Sequence, residues 1–517
     1  MSARIRVAML STLAFGAMGL APVPGLLPAE GGAAFGPIEH VANLPYADAY
    51  GTGANQGTDL EFATIPVSRR IEERTGRGRG AGAVRSRTVT EERTFVFAGT
   101  YMNGLQILDV TDGGEPAPVA VYDCAIAQGD VQVFGRDGRW YATYTRDTAY
   151  DAVTDSACFR EAEALGFGAR DELGPGTFIV DVTDPAAPTT VSFVPFPKGS
   201  HNQTVHPSGD HLYNSNSELI TSVAGEVGIE VVDISDLSAP EQVAFVALPI
   251  RPGLGTESHD ITFSADGTRA YSAALSQTVI IDTTDPAEPA IISSFVDPAI
   301  NVEHQASPVT LTDPLLGTRD FLVIEDEVAG ASPTGQCPNG GVHVYDITGD
   351  LEATPVKLGY WNIGDVGPTA NGLGSCTAHV FEIHEDEALM TIAYYNGGVR
   401  VVDLSGLVGV ALGEFGVGMR EVGRVPVPGQ RHLGCQGAPR LARRTVSGLR
   451  KRHRPRPRRL PGRPVPADGD GRDRAGRVAV GRSRCRRTGG GTAPRRRQLR
   501  TRTALQAPGG GGGGGGG

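Results

Sequence analysis

The chain holds no run of about 20 apolar residues, so no transmembrane helix is expected. Its longest apolar stretch, Val7–Leu20, is 14 residues. Cysteine is scarce: there are six in 517 residues. None has the CxxC spacing of a zinc site or a redox pair. The 71 glycines show no three-residue period and the apolar residues no heptad, which excludes collagen and coiled coil. No P-loop, GxSxG elbow, HExxH helix or dinucleotide fingerprint stands in a strand–turn–helix context. No Ser-His-Asp set can be chosen from the residues alone, so no catalytic residue is assigned. Between residues 59 and 430 nothing reads as a long amphipathic helix, which leaves an all-β chain.

What is present begins with a leader. Arg4 and Arg6 precede the apolar Val7–Leu20, and Pro22, Pro24 and Pro28 follow. That order is the charged and apolar part of a secretory signal peptide. Residues 1–34 are therefore expected to be a signal peptide and linker, and the protein to be secreted, periplasmic or cell-surface. Charge then divides the chain. Residues 431–517 hold 24 positive and 3 negative side chains, a net of +21. The remainder holds 23 positive and 55 negative, a net of −32. The basic part is rich in Arg, Gly and Pro, lacks β-branched runs and ends in nine glycines. Three readings of it stand: a high-GC gene read out of frame, a disordered linker, or a polyanion-binding arm. Interleaved aromatics for base stacking are missing, and the acidic body is a poor partner for nucleic acid.

Residues 36–430 are organised by a repeat. A β-branched run ending in Asp recurs six times: Gly104–Asp109, Gly176–Asp181, Gly228–Asp233, Gln277–Asp282, Gly341–Asp346 and Gly398–Asp403. Turn residues rich in Asp, Pro and Ser follow each run. Each Asp at a strand end, followed by turn N–H groups, is the pattern of an Asx turn. Around each run, short strands separated by Gly, Pro, Asp and Ser suggest four antiparallel strands per unit. Radial repetition of such units makes a β-propeller. The units lie at about 59–124, 130–197, 201–249, 259–298, 304–364 and 378–429.

The chain resembles the LVIVD-repeat family of secreted or surface bacterial and archaeal propellers, most closely at Ile179–Asp181 and Val231–Asp233. The resemblance implies a propeller and export, and little chemistry. Residues Ile38–Tyr46 read like a fourth strand such as Val243–Pro249. The expected fold is thus a seven-bladed propeller with six complete blades. Ile38–Tyr46 would close the seventh, whose first three strands should follow residue 430. They are not in the sequence there, so the seventh blade is truncated.

The chemistry-bearing residues fall at equivalent repeat positions. His201, His259, His304 and His379 begin the first strand of four consecutive units, and Asp130 takes that place in the second unit. First-strand starts and second-strand ends share a rim in such a blade. Asp147, Asn214, Asn216, Glu218, Glu325, Glu327, Tyr394 and Asn396 should therefore join them. Neutral imidazoles beside carboxylates suit one transition metal ion. The same repetition is also what inter-blade hydrogen bonding would produce. Of these, Asp130, Asn214, Glu218, Glu325, Glu327 and Asn396 are expected to form a ligand rim. His206 and His384, five residues further on, are expected in turns. Cys124 should pair with Cys158 and Cys337 with Cys376, stiffening loops on that rim. The Arg-rich stretch Ser68–Arg93 reads as a solvated loop on the opposite face, or a site for an anionic partner.

Two functions follow from this. One is an exported, monomeric binding propeller that presents one rim to a ligand or cell-surface partner. The other is a metal-dependent oxidase or hydrolase with the four histidines at the channel mouth.

Overall fold

The computed structural model describes residues 42, 44, 57–75, 83–127, 129–147, 152–216, 225–252, 254–327, 340–363, 377–394, 397–410 and 417–425. The expectations for residues 1–34, for Ile38–Tyr46 as a strand, for Glu218, Cys337, Cys376 and Asn396, and for 431–517 fall outside them.

The strands form six four-stranded antiparallel sheets. The first is β1 (Gly57–Thr75), β2 (Ala83–Thr100), β3 (Leu105–Asp109) and β4 (Ala117–Tyr122). The second is β5 (Val131–Arg136), β6 (Arg139–Arg146), β7 (Gly176–Asp181) and β8 (Thr189–Pro195). Helix α1 (Ala157–Leu165) lies between β6 and β7. The third is β9 (Asn202–Val205), β10 (His211–Ser215), β11 (Gly228–Asp233) and β12 (Glu241–Ala247). The fourth is β13 (Asp260–Phe263), β14 (Arg269–Ala273), β15 (Thr278–Asp282) and β16 (Ala290–Phe295). The fifth is β17 (Glu303–Asp313), β18 (Gly317–Asp326), β19 (Gly341–Asp346) and β20 (Val356–Trp361). The sixth is β21 (Ala378–His384), β22 (Leu389–Tyr394), β23 (Gly398–Asp403) and β24 (Arg420–Val425).

Each sheet is a propeller blade, and its first strand is innermost. Packing between first strands runs in the order β1, β5, β9, β13, β17, β21. The recurring sequence run is the third strand of each blade, and it explains two repeated details. Its ladder with the fourth strand shifts register two residues before the Asp, at Ile107/Leu108, Ile179/Val180, Val231/Val232, Ile280/Ile281, Val344/Tyr345 and Val401/Val402. A bulge there increases the local twist. The Asp itself accepts the N–H two residues on: Thr111, Thr183, Ser235, Thr284, Thr348 and Ser405 donate to it at 2.7–2.9 Å. All six are Asx turns.

The cores lie between blades. Phe95, Phe97, Leu105 and Ile107 of blade 1 pack with Val131, Tyr144, Phe178 and Phe193 of blade 2. Four further cores join blades 2–3, 3–4, 4–5 and 5–6. Six blades are therefore held by five cores among the described residues. The two flanks outside the series keep apolar side chains in solvent. Leu60 and Phe62, on the innermost strand of blade 1, are 57% and 62% exposed, and Val399 of blade 6 is 42% exposed.

The Ser68–Arg93 stretch departs from expectation. It is not a loop at its base: β1 and β2 stay in register out to Thr75 and Ala83. Exposed cross-strand pairs support this ribbon, with Arg69 2.7 Å from Glu91 and Ser68 2.8 Å from Thr90. Such pairs stabilise a ladder that has no core beneath it.

Cys124 and Cys158 form a disulfide with their Cα atoms 5.1 Å apart. It ties α1 to the end of β4, and Phe159 beside it packs edge-on against Phe178 at 5.3 Å. The bridge closes a loop of 34 residues. Replacing Cys158 by Ser is expected to lower unfolding stability by about 3–4 kcal/mol. Urea denaturation would show it, and an unchanged midpoint would contradict it.

Candidate metal centre

The start of each first strand is fixed by backbone bonds to the end of the second. His201 N–H donates to Ser215 O at 2.8 Å and His259 N–H to Ala273 O at 2.7 Å. Glu303, just before His304, pairs with Asp326, just after Glu325. Repeat position therefore decides where these side chains go, and the four histidines meet. Ring centroids are 4.5 Å apart for His201–His259, 3.9 Å for His259–His304 and 4.3 Å for His304–His379. Four blades thus contribute one continuous row of imidazoles.

Carboxylates flank this row. Asp147 Oδ2 is 3.3 Å from His201 Nδ1. Glu325 Oε2 is 3.2 Å from His304 Nδ1, without the alignment of a hydrogen bond. Glu327 Oε2 lies 3.7 Å from His304 Nε2. Among the described residues, His304, Glu327 and His379 are the set whose ligating atoms all lie within 4.8 Å of one another. His201 and His259 face each other through Nε2 atoms 3.0 Å apart.

Three of the four imidazoles have lowered pKa values. Burial, then the neighbouring imidazoles, hold His259 and His304 well below the usual histidine range. Burial and the His201 ring bring His379 down to about 4. Neutral imidazole is the form that binds metal. Glu325 is fully buried, neither of its oxygens has a hydrogen bond, and burial with Glu327, Asp326 and Asp260 nearby pushes its carboxyl well up.

Other expected rim residues have different work. Asp130 Oδ2 accepts the N–H of Gln203 at 3.1 Å, and Asp59 Oδ2 accepts that of Val131 at 3.1 Å. Both join one blade to the next. This is the inter-blade bonding that a repeated position can also serve. Asn214 donates its amide N–H groups to Gly199 O and Glu230 Oε2, at 3.2 and 3.1 Å, and its Oδ1 is buried without a hydrogen bond. His206 bonds Ser208 and Gly267 in a turn, and His384 reaches Thr391.

The expected set did not include the acids one to three residues further along the first strands. Glu61 and Asp260 follow Asp59 and His259 there. Burial and the charges of Asp59 and Glu382 raise Glu61 to about 8. Burial, against a bond from the Ile261 N–H, raises Asp260 to about 7. Alternation along an axial strand was the signal that could have found them.

These acids set a pH dependence. Glu257 is also raised to about 7 and Glu303 to about 8, both mainly by burial. A carboxyl with a raised folded value binds its proton more tightly folded than unfolded. Its stabilising effect is full below the unfolded value and is lost as pH rises through the folded one. The depressed histidines work oppositely, but only below about pH 6.5, where the unfolded imidazole titrates. Between pH 6.5 and 8.5 the carboxyls act alone. The melting temperature in chelator is expected to fall across that window by on the order of several degrees. A flat or rising curve would contradict it.

The sequence profile of the LVIVD repeat matches residues 222–246, the third unit. This agrees with the resemblance read from the repeats. No curated protein matches the chain. Among solved structures, a functionally unknown protein from Desulfotomaculum acetoxidans is similar at 13% identity and TM-score 0.39, covering 64% of this chain and 86% of that one. The periplasmic gluconolactonase of Pseudomonas aeruginosa is similar at 14% identity and TM-score 0.38, covering 71% and 86%. A β-propeller domain from Myceliophteria thermophila Cps50 (Swd1) is similar at 12% identity and TM-score 0.37, covering 64% and 84%. At these values no ligand or reaction transfers to this chain.

Proposed function

We propose that the chain is an exported binding propeller that holds one divalent transition-metal ion at its axial mouth. His304, His379 and Glu327 supply the donors. The observation that carries this reading is the row of four imidazoles ending at Glu327, beside a buried Glu325 whose oxygens make no hydrogen bond. Without a counter-charge, burial favours the protonated form of Glu325, and its ionised form needs a cation nearby. A cation on the imidazole next to it supplies that charge. Two imidazoles and one carboxylate are the donor set of open zinc and non-haem iron sites, which leave positions for a ligand. Those open positions are what the rim presents to its partner.

Export rests on the leader at residues 1–34 and on the Cys124–Cys158 bridge, which oxidising compartments favour. No helix among the described residues is long and apolar enough to cross a membrane.

We further read the ring as seven-bladed. Five cores for six blades leave two apolar flanks, and a closed ring needs a core at every junction. Connections between the last strand of one blade and the first of the next run from six residues (β8 to β9) to 16 (β20 to β21). Ten separate Tyr46 from Gly57, so Ile38–Tyr46 is spaced as the outer strand of the closing blade.

The metal reading is tested by stripping the protein with chelator and titrating Zn²⁺ or Co²⁺ back. Saturation at one ion per chain, with a rise in melting temperature, is the expected result. No saturable binding would refute it.

A further inference from the structure

The first strands of blades 5 and 6 differ from those of blades 3 and 4 where their histidines stand. In blade 5, Glu303 pairs with Asp326 and Gln305 with Glu325, so His304 is an extra residue in the ladder. In blade 6, Ala378 pairs with Tyr394 and Phe381 with Ile392, so one extra residue falls at His379–Val380. β9 and β13 pair with their second strands without a shift, and the backbones of His201 and His259 continue those ladders. A third shift, between Gly57 and Leu60 of blade 1, holds Asp59 and no histidine. A bulge re-aims the side chain it carries. The two bulged histidines are the two whose nitrogens lie within 4.8 Å of each other and of Glu327. The two regular ones meet each other at 3.0 Å.

A bulge also takes backbone groups out of the ladder, and in blade 5 Asp326 binds the segment before it. Its Oδ1 accepts the N–H of Asn301 at 2.9 Å and that of Val302 at 3.1 Å. The carbonyl of Val302 in turn accepts the N–H of Glu327 at 3.0 Å. The chain leading into His304 is thus locked to the chain carrying Glu327. Asp326 itself faces away from the donors. Its Oδ2 lies 4.0 Å from His343 Nε2, on the side where Ile324 packs between blades 4 and 5. Glu325, the next residue back, turns the other way, with Oε2 3.2 Å from His304 Nδ1.

We infer that Asp326 is a positioning residue for the metal site. It clamps the blade 5 bulge and sets the 3.7 Å approach of His304 Nε2 to Glu327 Oε2 without touching the ion. The inference rests on the metal reading above. It divides the repeated histidines by backbone register: His304 and His379, on bulges, bind, while His201 and His259, in regular ladders, pair with each other.

The test titrates Zn²⁺ and Co²⁺ into the chelator-stripped full chain and into three variants, with circular dichroism to check the fold. Asp326→Asn keeps an acceptor oxygen in place, so its affinity should stay within about threefold of native. Asp326→Glu keeps the carboxyl group but moves it by a methylene, and affinity should fall roughly 10–100-fold. Asp326→Ala removes the acceptor without adding bulk. It should fall by the same factor, and it stands in where the longer side chain does not fold. The visible Co²⁺ bands should match native in Asp326→Asn and change in the other two, since the donors around the ion have shifted. Native affinity and bands in Asp326→Glu and Asp326→Ala would overturn the inference and leave the metal reading intact. So would an equal loss in Asp326→Asn and Asp326→Ala, which would assign the effect to the lost charge. No saturable binding in the native chain would overturn the metal reading itself, and the inference with it.

Discussion

A chain carrying the sequence beyond residue 430 in the shifted reading frame is expected to melt roughly 5 °C or more above the present one. Three apolar side chains stand half exposed on the outer flanks of blades 1 and 6. Leu60 and Phe62 sit on an innermost strand, where the other blades bury their apolar residues, and Val399 sits on a third strand. Covering three such side chains, each about half exposed, stabilises by roughly 2.5–5 kcal/mol, scaled from about 1.5–3 kcal/mol for a fully buried side chain. The new blade adds its own ladder and removes the two open flanks. The shift is read by differential scanning calorimetry on the two chains, with the gene resequenced across the junction. Equal melting temperatures, or a continuous original frame with a seventh blade that does not fold, would show that the flanks are covered by something else or need no cover.

The second large effect concerns binding. His379→Ala and Glu327→Gln are each expected to weaken Zn²⁺ affinity by at least ~100-fold, the loss of about 3 kcal/mol or more. His379 and Glu327 close the donor set around His304, within 4.8 Å. His206→Ala is the control. His206 is an imidazole of the same chain in a turn, bonded to Gly267 O at 2.7 Å. It should change stability without changing metal affinity. If all three variants bind alike, the row is a structural stack and the blade-joining reading of repeated positions is the right one.

The propeller was legible because its signals are local. A β-branched run ending in Asp sets both the bulge and the Asx turn in every blade, so counting runs counted blades. The convergence of His201, His259, His304 and His379 was legible for the same reason, since equivalent positions in a radial repeat face the axis together. What repeat position could not give was direction within the rim. Asp130 and Asn214 occupy rim positions, yet their side chains turn to Gln203 and Glu230. For Asp130 that choice depends on the neighbouring blade, which no one unit encodes; for Asn214 it depends on Glu230 opposite it in its own blade. The acids Glu61 and Asp260 escaped because no acid recurs at their positions from unit to unit. Only the axial setting, where burial and neighbouring carboxyls act together, makes their titration unusual. The Arg-rich stretch was misread because cross-strand pairs such as Arg69 with Glu91 extend a ladder without an apolar signal.

The claim at the centre is that this row of imidazoles holds an ion. Elemental analysis of the full chain, exported and purified without chelator or affinity nickel, tests it most directly. The account predicts one zinc, iron, copper or nickel per chain, lost in the His304→Ala, His379→Ala double variant while the disulfide and circular dichroism stay native. Less than a tenth of an ion per chain, unchanged when the medium is supplemented with all four metals, would contradict it.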